Sequence, residues 1–142
     1  MRLTLHTDYS LRVLIHLAAG DQERSSISEI AEAYDISRNH LMKVVHELGR
    51  GGFINTIRGR GGGFTLARPA NQIRIGDVVR FSETDLKLVD CTTCVIKGSC
   101  GLIGVLDEAR RAFLDVLDRY TIADAAADKD RLRTALFPVA AA

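Results

Sequence analysis

Three cysteines sit within ten residues, Cys91, Cys94 and Cys100, in the pattern C-x2-C-x5-C. Thiolates this close together bind iron or zinc, and neighbouring thiols also exchange as a disulfide switch. An odd number of cysteines, all in one short segment, points to metal or redox chemistry rather than to structural cross-links. An iron–sulfur cube has four iron corners, of which three cysteines fill three. The fourth falls to another side chain, a small molecule or a second subunit. The residues alone leave four readings open: an iron–sulfur cluster, a zinc site, a thiol–disulfide switch, or inert thiols. A redox enzyme is disfavoured, because no strand precedes the motif as a thioredoxin-like unit requires, and no catalytic base stands beside it. No enzyme is expected.

A second group suits nucleic acid. In Ser37-Arg38-Asn39-His40, with Lys43 one turn on, Arg38 can read guanine and Asn39 adenine, while Ser37, His40 and Lys43 suit phosphates. Arg58 and Arg60 lie in Arg58-Gly59-Arg60-Gly61-Gly62, a turn narrow enough to enter a minor groove. Between residues 37 and 80, eight basic residues meet only Glu47 and Asp77, a block of +6 in a chain whose total is +1. Such a block is the footprint of a polyanion-binding surface. A solvated arginine-rich face, or a winged helix that binds protein, are the bland alternatives. His16 and His46 read as packed or surface residues rather than ligands.

The elements that must position these groups follow from spacing. Apolar residues Leu11, Leu14, Ile15 and Ala18 predict a helix over 8–19, stopped by Gly20. Ser26-Ile27-Ser28-Glu29 has the form of a capping box, starting a short helix that runs to Tyr34. Ser37 can cap a third helix with Leu41, Val44, Val45 and Leu48 facing inward, ending at Gly49-Arg50-Gly51-Gly52. Short helix, tight turn, second helix is the helix-turn-helix pattern. Two alternating β-rich runs, 53–57 and 63–67, flank the glycine-rich turn as a hairpin, so the expected fold is a winged helix. A short helix at 73–79 packs back on it. The fold class is therefore mainly α with a small β-hairpin.

The cysteines fall in a loop over 86–100, ahead of a long helix whose apolar positions Leu102, Leu106, Ala109, Phe113, Val116 and Tyr120 step by three and four. Asp107 with Arg111, and Asp115 with Arg119, are four apart in the favourable order. A stripe of this kind needs a partner, and a symmetric dimer supplies one. The division expected is a winged helix-turn-helix domain over 1–80, a cysteine loop over 81–100, a dimerisation helix over 101–122 and a tail over 123–142, frayed from Phe137 onward. At 142 residues, 46% hydrophobic and 26% charged, the chain can bury a core. No apolar run approaches the ~20 residues of a membrane span, so no membrane partner is expected. The start, Met1-Arg2-Leu3-Thr4, lacks an apolar stretch with a cleavage site, so the expectation is a cytoplasmic protein without a signal peptide.

Four stretches carry a family resemblance: residues 5–12 (Leu-His-Thr-Asp-Tyr-Ser-Leu-Arg), 37–45 from Ser37 to Val45, 58–63, and 73–79. They resemble the NsrR group, nitric-oxide-sensing repressors within the Rrf-two family of winged-helix regulators, which also holds IscR-type iron–sulfur regulators. The resemblance covers nearly the whole chain, from Met1 to about Asp124. It implies a homodimer that binds palindromic double-stranded operator DNA, represses genes of nitric oxide detoxification and takes nitric oxide as its signal. It also implies a [4Fe-4S] cluster, with [2Fe-2S] as the alternative, held by Cys91, Cys94 and Cys100. In the family the fourth ligand can be an aspartate near the start of the first helix of the other subunit. Asp8 matches that position, with His6 and Asp90 ranked below it. The spacing between the first two cysteines is shorter here than is usual in the family. An IscR-like or iron-responsive regulator is the runner-up, followed by a zinc or thiol redox-switch protein.

Overall fold

Local hydrogen bonds start most of the helices, and they are the ones the side-chain chemistry calls for. In the computed structural model, which describes residues 2–21 and 24–139, helix α1 (Leu5–Ala19) opens where the Thr4 hydroxyl accepts the Thr7 amide. Its start three residues before the expected one places Asp8 in the first turn, a favourable position for a negative charge. Helix α2 (Ile27–Tyr34) begins at the capping box: Ser26 Oγ accepts from Glu29 N at 3.3 Å, and Glu29 Oε2 accepts from Ser26 N at 2.9 Å. Asp35 then adopts a left-handed conformation (φ 52°), which turns the chain sharply into helix α3 (Arg38–Arg50). Ser37 caps α3 by accepting the His40 amide at 3.1 Å.

Strands β1 (Ile54–Ile57) and β2 (Gly63–Leu66) pair antiparallel, Ile54 opposite Leu66 and Ile57 opposite Gly63. A third rung comes from before α2: Ser25 and Phe64 exchange both backbone hydrogen bonds. That close approach requires a glycine at 63, where φ is +154° and a Cβ would stand 2.5 Å from Ser25 O. A 3-10 turn at Ala70–Gln72 leads into helix α4 (Ile75–Ser82). Leu14 of α1, Ile30 of α2, Leu41 and Leu48 of α3, Ile54 of β1 and Ile73 meet in one core beneath the helix-turn-helix and its wing. The chain is a mainly α protein with a winged helix.

The second half departs from expectation. After the cysteine loop, helix α5 (Leu102–Leu117) stops short of the expected residue 122. Asp118 leaves the helix to grip Arg80 of α4 with both carboxylate oxygens, at 2.6 Å each. Gly76 makes that possible, because a Cβ there would lie 1.9 Å from Asp118 Oδ1. The chain then returns to the winged-helix core, where Ile75 N donates to Tyr120 O and Ile122 N donates to Ile73 O, both at 2.9 Å. The expected tail is instead folded through Leu136. Helix α6 (Ile122–Ala125) starts on a capping box between Thr121 and Asp124 and buries Ile122 and Ala126 fully. Helix α7 (Lys129–Leu136), capped by Asp128, packs against α1. The expected frayed end reaches residues 140–142, which lie outside the described residues. Asp107 pairs with both Arg110 and Arg111, whereas no ion pair joins Asp115 to Arg119 among the described residues. No helix of the described residues is long and apolar enough to cross a membrane.

Candidate functional site

Helix α3 buries Leu41, Val44, Val45 and Leu48 and turns its other face outward. Arg38, Asn39, Met42, Lys43 and His46 are exposed on that face, Met42 by 56%. Arg38, Met42 and His46 are spaced four apart, so they rise in one line along the helix. Met42 and His46 share this exposed face and were not among the residues singled out for nucleic acid in the sequence, although helical spacing from Arg38 would have found them. Ser37 and His40 have structural work at the helix start. The Ser37 hydroxyl caps α3, and the half-buried His40 ring meets the Tyr9 ring edge-on at 4.6 Å.

The +6 block divides in two. Arg50 pairs with Glu47 at 3.0 Å, and Arg80 with Asp118. Arg68 donates to Gly52 O and Gln72 O and lies over the Phe53 ring. These three hold the fold together. Arg38, Lys43, Arg58, Arg60 and Arg74 are exposed and have no ion-pair partner among the described residues. Arg74 precedes α4, and the other four lie at the start of α3 and on the wing turn, so most of the unpaired charge is on the two parts that can approach a duplex.

The three thiols are free and lie on successive turns: Cys94 N donates to Cys91 O, Lys97 N to Cys94 O, and Ser99 N to Ile96 O. Gly98, at φ +98°, bends the loop towards Cys100. Cys91 borders a cavity of ≈ 460 Å³ between the loop and α5, whose lining includes Lys87, Lys97 and Arg110. Thiol sulfur is the soft donor that iron and zinc take. Three free thiols within ten residues therefore fit a sulfur-held iron group in donor chemistry. One chain does not assemble it, because the described residues contain no group of three or more His, Cys, Asp or Glu side chains placed to hold a metal ion.

Asp8 is on α1, and both its oxygens are taken by Arg12, Nε at 3.1 Å and Nη2 at 2.8 Å. Arg12 in turn lies 5.8 Å from the Tyr9 ring centre. Asp90 Oδ1 accepts from the Thr92 amide and hydroxyl, which hold its carboxyl below the usual carboxylate range. Asp90 thus shapes the turn into Cys91. His6 is the second residue of α1, two before Asp8.

Comparison with known proteins agrees with this architecture. The chain is 52% identical over 136 residues to the HTH-type transcriptional regulator NsrR of Bacillus subtilis strain 168, spanning 92% of this chain and 93% of that protein. Among solved structures, T. potens IscR superposes with a TM-score of 0.75 at 25% identity, covering 94% of this chain and 91% of that one. CymR, the global cysteine regulator of B. subtilis, superposes with a TM-score of 0.72 at 27% identity, covering 90% and 98%. The relatives are named as transcriptional regulators, not enzymes. The profile of the Rrf2 family, described as an iron-dependent transcriptional regulator, matches residues 3–128, and the chain belongs to that family.

Proposed function

We propose that this chain is a homodimeric, DNA-binding transcriptional repressor whose cysteine loop holds an iron–sulfur cluster and makes operator binding responsive to nitric oxide. The observation that carries the DNA-reading part is the capped start of α3, with Arg38, Asn39 and Lys43 exposed and unpaired beside the free wing arginines. The α3 residues enter a major groove, and Arg58 and Arg60 reach the adjacent minor groove. Two copies are required because a palindrome has two half-sites about one helical turn apart. The apolar side of α5, where Leu102 is 54% and Val105 61% exposed, is the face through which they pair.

Cys91, Cys94 and Cys100 are the thiolate ligands in this reading, with Asp8 of the partner subunit as the fourth donor. Bound iron would supply the reactivity towards nitric oxide. The chain supplies the connection to DNA: Asp8 is held by Arg12, Arg12 leans on Tyr9, and Tyr9 packs on His40 in the first turn of α3. A change of partner at Asp8 therefore acts on side chains touching the reading helix. The likeness to NsrR favours nitric oxide as the signal. The likeness to IscR, in a family described as iron-dependent, favours iron or cluster supply as the second reading.

Operator binding by three anaerobic samples tests this: iron-loaded, metal-stripped and nitric-oxide-treated protein on a palindrome selected from random DNA. The expected result is at least tenfold weaker binding by the second and third. Equal binding by all three overturns the sensing role, and loss in the stripped sample alone favours the second reading.

A further inference from the structure

His16 is only 1% exposed, and neither of its ring nitrogens has a hydrogen-bond partner among the described residues. A neutral imidazole carries one N–H donor and one acceptor, and a buried ring that pairs neither with protein is a departure from what buried polar groups normally do. The cover over this ring is the end of the chain. The Phe137 ring centre lies 4.8 Å from that of His16, with Tyr34 beyond it at 5.8 Å. Arg133 holds α7 in place, donating from Nε to Ala19 O at 3.0 Å and pairing with Asp21. Beside the ring lies a cavity of ≈ 610 Å³ bordered by Glu29, Glu32 and Arg133.

We propose that His16 and the C-terminal segment 129–137 form a proton-operated latch: Phe137 seats over His16 only while the imidazole is neutral, and protonation releases the segment from the groove between α1 and α2. The charged groups around the ring set the direction. On α2, Glu29 and Glu32 offer counter-charge from the cavity, while Tyr34 stays neutral, its phenol pushed up to about 12 by burial. On α1, Arg12 lies over the far ring of Tyr34, and Arg133 of α7 is committed to Ala19 and Asp21. Among the described residues no acceptor meets the His16 nitrogens in the docked arrangement, so an imidazolium gains compensation by moving towards the carboxylates. Burial lowers the affinity of His16 for a proton, more than Glu29 raises it. The docked state is therefore favoured above the ordinary histidine pKa of 6.5 and weakens as pH falls below it. The latch closes on the end of α1, beside the cavity that Glu29 and Glu32 of α2 border.

Amide exchange and NMR on the full chain test the latch. Protection of amides in residues 129–137 should fall between pH 6.5 and 5, by up to about tenfold per pH unit because one proton is involved. Amides of α3 should hold, and His16→Leu should make the 129–137 response independent of pH. Phe137→Ala should raise the His16 titration midpoint towards 6.5. Should His16→Leu not fold, the wild-type exchange profile and the Phe137→Ala titration decide. Protection independent of pH in the wild type, or a midpoint unmoved by Phe137→Ala, overturns the proposal.

Discussion

Lys43 and Arg60 have exposed side chains with no ion-pair partner among the described residues, so their charge is free for phosphate. Replacing either by Ala should weaken binding across operator sequences and reduce the salt slope by about one unit. Arg38→Ala, at a position suited to a guanine edge, should cost about 1–3 kcal/mol and relax sequence preference there. Titrations at several salt concentrations separate the two behaviours, and an unaltered slope for Arg60→Ala would place the wing tip away from the backbone. The cysteines are equally specific. Cys91→Ala, Cys94→Ala and Cys100→Ala should each lower the iron content and visible absorbance of anaerobically purified protein. Unchanged absorbance in all three would exclude these thiols as ligands. Asp8→Ala should leave iron bound with altered stability, and should also free Arg12 from its two hydrogen bonds.

Elements are joined by a few contacts that periodicity does not reveal. Helices α4 and α5 are tied by Arg80 and Asp118, a pair that exists only because residue 76 has no side chain. Gly76→Ala forces a Cβ into the Asp118 carboxylate and should lower stability by about 1–3 kcal/mol, as overpacking does, despite alanine's better helix propensity. Thermal unfolding checks this; an unchanged midpoint would mean that the pair shifts at no cost. Asp118→Asn tests the same joint by pH. The hydrogen bonds from Arg80 hold the Asp118 carboxyl below its ordinary 3.8. Its contribution is thus complete above that value and is lost as pH falls below it. The stability difference between wild type and Asp118→Asn should therefore close in acid, and a constant difference would assign the effect to packing. The α1 start is joined to α4 in a similar way, where Glu83 Oε1 accepts from both the amide and the hydroxyl of Thr4.

At the scale of the molecule, the unpartnered surface decides the assembly. Val95 is 98% exposed and Ile96 58%, and both stand just ahead of exposed Leu102, Ile103 and Val105 at the start of α5. Exposed apolar residues clustered this closely along the chain are the ones through which the proposed dimer would pair. Val105→Glu should shift the protein from dimer to monomer in sedimentation at micromolar concentration, and operator affinity should fall with it. A variant that remains dimeric would move the interface elsewhere.

The helix-turn-helix, the wing and the cysteine loop were legible in the sequence because local chemistry decides them. The Ser26–Glu29 capping box, the Ser37 cap, the β-rich runs around a glycine turn and three clustered thiols act over a few residues each, whatever surrounds them. The heptad-like stepping of 102–120 could not reveal that the helix ends at Leu117, since the residue that ends it, Asp118, answers to Arg80 far back in the chain. Nor did composition distinguish a loose tail from α6 and α7, because their docking depends on Ile122 entering the core and on Arg133 reaching Ala19. Tertiary structure alone also sorted the basic block into fold-holding and free charges, and buried His16 beneath Phe137. Contacts between distant residues are set by how elements pack, and spacing along the chain carries no record of them.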